Sequence, residues 1–330
     1  MDNRRFHTGD RVSVRSPEEI LATLDAQGTL DGLPFMPEML EWCGKSCRVQ
    51  RQVEKTCVAD HPMRQFPAND VLILDGPRCD GRSHDGCKHG CRIFWKEAWL
   101  RPTDSHTPTA PPSGIGLEEL RARLKVKSDE RRYFCQSTEL YKATQNFPET
   151  RKHWTARIAL KGLRSGDLSV TRFLKLSTLW SMYRLRRACG GDRWLQGPHR
   201  RTPSESLGLL PGEVVRVKSR TQIAQTLGAS GRNRGMGICS EMTRCCGCEA
   251  RVRYRVDRII DETTGLMREI SDTVTLQNIR NDEALAEECL CYGELGDCPR
   301  GEMMYWREIW LERVPDMRAK SRAQDPDRDR

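Results

Sequence analysis

Near the N-terminus, Val12-Ser13-Val14 places an apolar residue at every second position, as a strand with one buried face requires. A helix start follows. Ser16-Pro17-Glu18-Glu19 has a serine at the N-cap, a proline in the first helical position and a glutamate three residues beyond the cap. Ile20 and Leu24 fall four apart on one face, and Gly28 is placed to end the helix. Further runs predict strands over 48–53, 71–74 and 93–100. In the last of these, alternation puts Trp95, Glu97 and Trp99 on one side and Phe94, Lys96 and Leu100 on the other.

The whole pattern then returns. Shifted by 203 positions, residues 9–53 align with 212–256 without a gap, and 17 of the 45 pairs are identical. Chance gives about one in seventeen. The repeat keeps Val12/Val215, Ser16/Ser219, Ile20/Ile223, Leu24/Leu227, Glu38/Glu241, Cys43/Cys246 and Val53/Val256. At an offset of 211, Phe94-Trp95-Lys96-Glu97-Ala98-Trp99-Leu100 matches Tyr305-Trp306-Arg307-Glu308-Ile309-Trp310-Leu311. The second copy accordingly predicts strands at 214–217, 251–259, 273–276 and 304–311. Several short strands and one small helix in about 95 residues suggest a small, partly open barrel. The opening Gly-acid-x-Val-x-Val resembles the first strand of SH3-like barrels, a likeness of fold that implies no activity.

Between the copies the period changes. Residues 103–115 form a Pro/Ser/Thr linker, and helical spacing then runs over 117–126, 135–145 and 169–188, where Phe173, Leu176, Trp180 and Tyr183 recur at three and four residues. The expected fold class is α+β: two homologous β-rich modules, 1–102 and 204–314, flanking a linker (103–116) and a basic helical domain (117–203), with a disordered tail over 315–330.

Composition changes this picture in two places. Fifteen cysteines divide as six in the first module, two between (Cys135 and Cys189) and seven in the second. The N-terminal MDNRRFHTGD has no apolar stretch and no run of 18 apolar residues occurs, so neither a secretory signal nor a membrane span is expected. The expectation is a cytoplasmic chain whose clustered thiols are reduced metal ligands. Cys79, Cys87 and Cys91 lie within thirteen residues among glycines that let a loop fold back, with Cys57 as the candidate fourth ligand and His84, His89 and Cys43 as substitutes. In the second module Cys57 is replaced by Ile260 and Cys91 by Glu302, so that copy either rebuilds its site, with Cys248, Cys289, Cys291 and Cys298 as the candidate set, or has lost the metal. The cofactor expected is zinc, and four protein ligands would make it structural, since catalytic zinc keeps one position open for water.

Charge is the second. The net charge is +9, yet residues 151–203 alone hold thirteen basic residues against Asp167 and Asp192. That segment carries +11, so the remainder sums to −2. Arg172, Lys175, Arg184, Arg186 and Arg187, interleaved with Trp180 and Tyr183, are the candidate contacts for a polyanion such as nucleic acid, or for an acidic protein. The Gly/Arg-rich run 228–237 reads as a flexible loop. No phosphate-binding, zinc-protease or nucleophile-elbow motif occurs. A non-catalytic zinc-binding scaffold is therefore expected; the alternative is an enzyme, or an enzyme subunit, with a Cys, His or Glu in a cleft between the modules.

Overall fold

A computed structural model describes residues 5–53, 55–103, 114–146, 195–278 and 300–314, with scattered positions between 163 and 185. The fold is mixed, with antiparallel sheets and few helices. The chain divides into two compact units: one of Met1–Leu185, Arg258–Glu269 and Leu290–Glu302, the other of Arg186–Asp257, Ile270–Cys289 and Met303–Arg330.

The first unit is built on β1 (Arg11–Val14), β2 (Ser46–Gln52), β3 (Val71–Arg78), β4 (Arg92–Lys96) and β5 (Leu100–Pro102), in the order β4-β3-β2-β1-β5. Val12 opposes Cys47 and Pro102, and the β2–β3 register slips between Val49 and Arg51. The helix α1 (Pro17–Leu21) has its capping box: Glu19 N–H donates to Ser16 Oγ at 3.3 Å, and Ser16 N–H to Glu19 Oε2 at 3.0 Å. The expected strand 93–100 is broken by a 3-10 turn at Glu97–Trp99. That turn abolishes the alternation: Phe94, Trp95, Lys96, Trp99 and Leu100 are all buried and only Glu97 and Ala98 reach solvent.

Two helices from the segment after the linker join this unit. They are α2 (Gly114–Arg123) and α3 (Gln136–Ala143), and Leu120, Leu140 and Ala143 are buried in the core that holds Val12, Ile20, Met39, Trp95 and Trp99. Residues 114–146 are thus part of the first unit rather than of a separate helical domain. A second antiparallel layer pairs Thr56–Val58 with His61–Gln65 and that strand with Gln145–Asn146. A separate two-stranded hairpin of Arg258–Ile260 and Met267–Glu269 belongs to the same unit; the expected strand 251–259 ends early, and its last residues enter this hairpin.

The second unit repeats the sheet with β6 (Val214–Val217), β7 (Glu249–Arg255), β8 (Thr273–Asn278), β9 (Tyr305–Arg307) and β10 (Leu311–Arg313), ordered β9-β8-β7-β6-β10. Val215 opposes Ala250 and Arg313, and the β7–β8 register slips between Val252 and Tyr254. Each of these pairs lies at the sequence offsets of 203, 202 or 211 from its counterpart in the first sheet. Helices α4 (Arg220–Ala224) and α5 (Ser240–Arg244) pack on this sheet, α4 behind a Ser219/Gln222 capping box. Its core gathers Val215, Val217, Ile223, Met242, Val252, Trp306 and Trp310. The run 228–237 forms a small hairpin, Arg232–Asn233 with Met236–Gly237, rather than an open loop.

Candidate metal centre

The loop 79–91 leaves β3, folds over itself and returns into β4. Gly81 makes this possible: its φ is +70°, and a side chain there would sit 2.0 Å from the carbonyl oxygen of Cys87. Backbone bonds from His84 N–H and Gly86 N–H to the Gly81 carbonyl, and from Cys79 N–H to the Cys91 carbonyl at 2.9 Å, close the loop at both ends. Cys79, Cys87 and Cys91 are thereby brought to one place.

They meet a fourth cysteine from elsewhere. Cys135 occupies the N-cap of α3, with the first amides of the helix directed at its sulfur: Ser137 and Thr138 N–H donate to it. A helix N-terminus favours the thiolate over the thiol. Gly81 N–H donates to Cys79, and His89 and Ile260 N–H donate to Cys87, the last at 3.4 Å. Such donors orient thiolate ligands toward a metal. All four sulfur-bearing residues line a single small cavity of about 20 Å³, together with Met36, His84, His89, Gln136, Ser137 and Ile260.

The two histidines are otherwise engaged. His84 is 1% exposed; its Nδ1 lies 2.7 Å from Glu38 Oε1 and its Nε2 lies 3.2 Å from the carbonyl of Phe134. Both ring nitrogens face acceptors, so this ring is an imidazolium that donates twice. Burial alone would lower the His84 pKa, but the Glu38 hydrogen bond and charge raise it overall; burial likewise pushes Glu38 up, and the His84 and Ser83 donors bring it below the ordinary carboxylate value. Glu38, Cys79 and His84 lie close enough to hold a metal; His84 spends both ring nitrogens on Glu38 Oε1 and the Phe134 carbonyl, while Glu38 Oε2 is buried with no hydrogen-bond partner. His89, Glu262 and Glu302 form a second such group, and there Arg300 takes both carboxylates: it holds Glu262 with two nitrogens and Glu302 at 3.1 Å. Burial pushes the His89 pKa down to about 4, with the Arg300 charge adding to it, so this ring is neutral.

The sulfurs of Cys79, Cys87, Cys91 and Cys135 line the cavity together with the neutral His89, but no three of them lie within 4.8 Å of one another as the ligand atoms of the two groups above do. Burial pushes the Cys79, Cys87 and Cys135 thiols up and Cys91 up to about 12, and neighbouring sulfurs add to the rise at Cys79, Cys91 and Cys135. Four thiolates cannot share this space without a cation, and a divalent ion reverses that penalty. Zinc would draw them in to bonds of about 2.3 Å around the cavity, with no position left for water.

No family model, curated protein or solved structure matches the chain.

The geometry therefore stands by itself, and it redistributes the residues expected from spacing. Cys79, Cys87 and Cys91 line one cavity. Cys57 lies outside the cavity lining; its carbonyl accepts from Arg300 at 3.5 Å, and its thiol interacts with Arg300 and Glu302. Cys135 lines the cavity in its stead, although it is 44 positions beyond Cys91. The signal that marks it in the sequence is its place directly before Gln136-Ser137-Thr138-Glu139, where a helix begins with free amides. In the second unit Cys248 is partly buried and neighbours Cys246, whose thiol burial pushes up. Cys289, Cys291 and Cys298 lie outside the described residues, as do Arg172, Lys175, Arg184, Arg186 and Arg187. Among the described residues no cysteine is in a disulfide, and no helix is long and apolar enough to cross a membrane.

Proposed function

We propose that this chain is a zinc-dependent, non-catalytic binding protein made of two copies of one small SH3-like module. Its first module is closed by a structural four-cysteine site, and its basic segment 151–203 engages a polyanion, nucleic acid in the first place. The observation that carries the reading is the single cavity lined by Cys79, Cys87, Cys91 and Cys135: backbone amides point at the sulfurs of Cys79, Cys87 and Cys135, and the Ser137 hydroxyl oxygen lies 3.3 Å from that of Cys91. A metal with four protein sulfurs stabilises a small core and offers water no open position, which favours binding over hydrolysis. The charge of +11 in 53 residues supplies the second half of the reading.

Elemental analysis of the full chain tests the first half. The expected result is at least one zinc per chain, lost in Cys135→Ser and Cys87→Ser variants; full retention of zinc in both would overturn the ligand set. Retention in Cys57→Ser is expected. Filter binding or anisotropy with duplex DNA and with RNA tests the second half. Affinity should fall steeply with salt, and the triple variant Arg184→Glu, Arg186→Glu, Arg187→Glu should reduce the slope of log K against log salt by about one per lost phosphate contact. Binding that ignores salt would remove the polyanion from the proposal and leave an acidic protein as the partner sought.

A further inference from the structure

Two short segments that belong to the second repeat by sequence, Arg258–Glu269 and the stretch ending at Glu302, are members of the first unit. Both meet the cysteine loop. Lys88 N–H donates to the Arg258 carbonyl at 2.9 Å, and Ile260 N–H donates to Cys87 Sγ at 3.4 Å. Arg92 N–H donates to the Arg300 carbonyl at 3.3 Å, and Arg78 Nη1 to the Gly301 carbonyl at 3.0 Å. These contacts place one cavity-lining residue, Ile260, and one buried guanidinium, Arg300, against the candidate ligands.

Arg300 is tied in on every side. Its side chain is 5% exposed; Glu262 takes two of its nitrogens, Glu302 takes Nε, and Nη2 lies 3.4 Å from Ser137 Oγ. Ser137 Oγ in turn lies 3.3 Å from Cys91 Sγ. A guanidinium has no acceptor, so the serine oxygen accepts from Arg300 and its own hydrogen is left to point at the sulfur. That direction suits Cys91 as a thiolate. A divalent ion with four thiolates also keeps a net charge of roughly −2, which a nearby cation stabilises.

We infer that Arg300 is a positioning residue of the metal centre, acting on Cys91 through Ser137 while the Ile260 amide acts on Cys87. Metal binding and the docking of 258–269 and 300–302 on the cysteine loop are then linked, each favouring the other by the same factor. This rests on the four-sulfur reading above and deepens it: the site is a metal-controlled clasp on two segments distant in sequence.

Cobalt(II) added to the metal-free full chain is the probe. Tetrahedral thiolate coordination gives intense visible ligand-field bands and near-ultraviolet sulfur-to-cobalt bands, and competition with a chelator gives the affinity. Arg300→Gln should keep the four-sulfur spectrum and weaken cobalt binding about 10- to 100-fold, as outer-shell partners of metal ligands do. Arg300→Lys should fall between, since it keeps the charge and loses the two-pronged geometry. In the unaltered chain, hydrogen exchange at Arg258–Ile260 should accelerate when the metal is chelated and slow again when it is restored. That measurement stands even if Arg300→Gln does not fold. A four-sulfur spectrum with unchanged affinity in Arg300→Gln, or unchanged exchange at 258–260 on chelation, overturns the linkage and leaves the metal site intact. Absence of thiolate–cobalt bands in the unaltered chain overturns the metal site itself.

Discussion

In the first sheet, Glu97 is half-buried and receives the backbone N–H of Arg5 at 3.2 and 3.3 Å. In the second, its counterpart Glu308 is fully buried and receives the N–H groups of Leu207, Gly208 and Leu209. Gly208 stands at the position of Arg5, at the same offset of 203. Gln52 holds the Phe6 carbonyl in the first sheet; Arg255, at its counterpart position, holds the Leu209 carbonyl at 2.7 Å and pairs with Glu308. The backbone task is the same, but complete burial of the carboxylate goes with a cation where a neutral amide otherwise serves. A charge exchange of the same kind occurs one residue earlier. Lys96 is fully buried against Asp31 and Asp70. In the second sheet Arg234 replaces Asp31 and pairs with Asp272, while Arg307 donates to the carbonyls of Ser271 and Arg234. Backbone geometry is repeated between the sheets while the charges on it are reassigned.

The sharpest way to break this comparison is to remove the charge at the buried carboxylate. Glu308→Gln leaves Arg255 facing an amide and should cost about 3 to 5 kcal/mol, against about 1 kcal/mol for Glu97→Gln. Urea unfolding of the full chain, with hydrogen exchange assigning each loss to its sheet, measures both. Pairing Glu308→Gln with Arg255→Gln recreates the neutral arrangement of Gln52 and should recover most of the loss. Equal costs for the two glutamates would show that burial and the arginine contribute nothing beyond the shared backbone contacts.

A smaller effect is expected at Lys96. In Lys96→Met, Asp31 and Asp70 face each other without a cation, but their side chains are 55% and 24% exposed and water can take part of the lysine's role. The expected cost is about 2 kcal/mol. Because Asp31 interacts directly with the lysine, adding Asp31→Asn to Lys96→Met should cost less than the sum of the single changes. Strict additivity in the same unfolding measurement would remove the ion pair from the account.

These contrasts also show which features the sequence discloses. The offsets of 203 and 211 predict matching strands, and the structure pairs Val12 with Pro102 and Val215 with Arg313 accordingly. The capping boxes at Ser16 and Ser219 were readable because a cap is local chemistry. Alternation failed at Glu97–Trp99, where a 3-10 turn keeps Trp99 inside and lets its Nε1 reach Thr23 Oγ1 at 3.1 Å. Cys135 was missed as a site residue because ligand spacing counts along the chain, whereas α3 reaches the cysteine loop through the packing of Leu140 and Ala143 on a distant core. The placing of Ile260 and Arg300 beside that loop depends on tertiary docking, which no local pattern encodes.

The weakest contrast is one of pH. Asp25 closes the turn after α1: its Oδ1 accepts Gln27 N–H at 2.8 Å and Thr29 N–H at 2.9 Å, and its Oδ2 accepts the Thr29 hydroxyl at 2.7 Å. Gly228 stands at the corresponding place and the turn keeps its backbone bonds, from Gly228 N–H to Arg232 and from Gly231 N–H to Gly228. Burial pushes the Asp25 carboxyl up, but the Thr29 and Gln27 donors and the Lys125 charge hold it below the ordinary value. A carboxyl with a lowered folded-state pKa contributes stability that is present above the unfolded value, about 4, and is lost as pH falls through the folded value. Because Asp25 is exposed and water screens it, Asp25→Asn should cost only about a few tenths of a kcal/mol at neutral pH and progressively less in acid. Hydrogen exchange at Gln27 and Thr29 should show an acid-dependent opening in the parent chain that the variant lacks, while the Gly228 turn shows none attributable to a side chain. An undiminished difference between parent and variant in acid would mean that Asp25 acts through shape alone, and that the two turns differ in sequence but not in electrostatics.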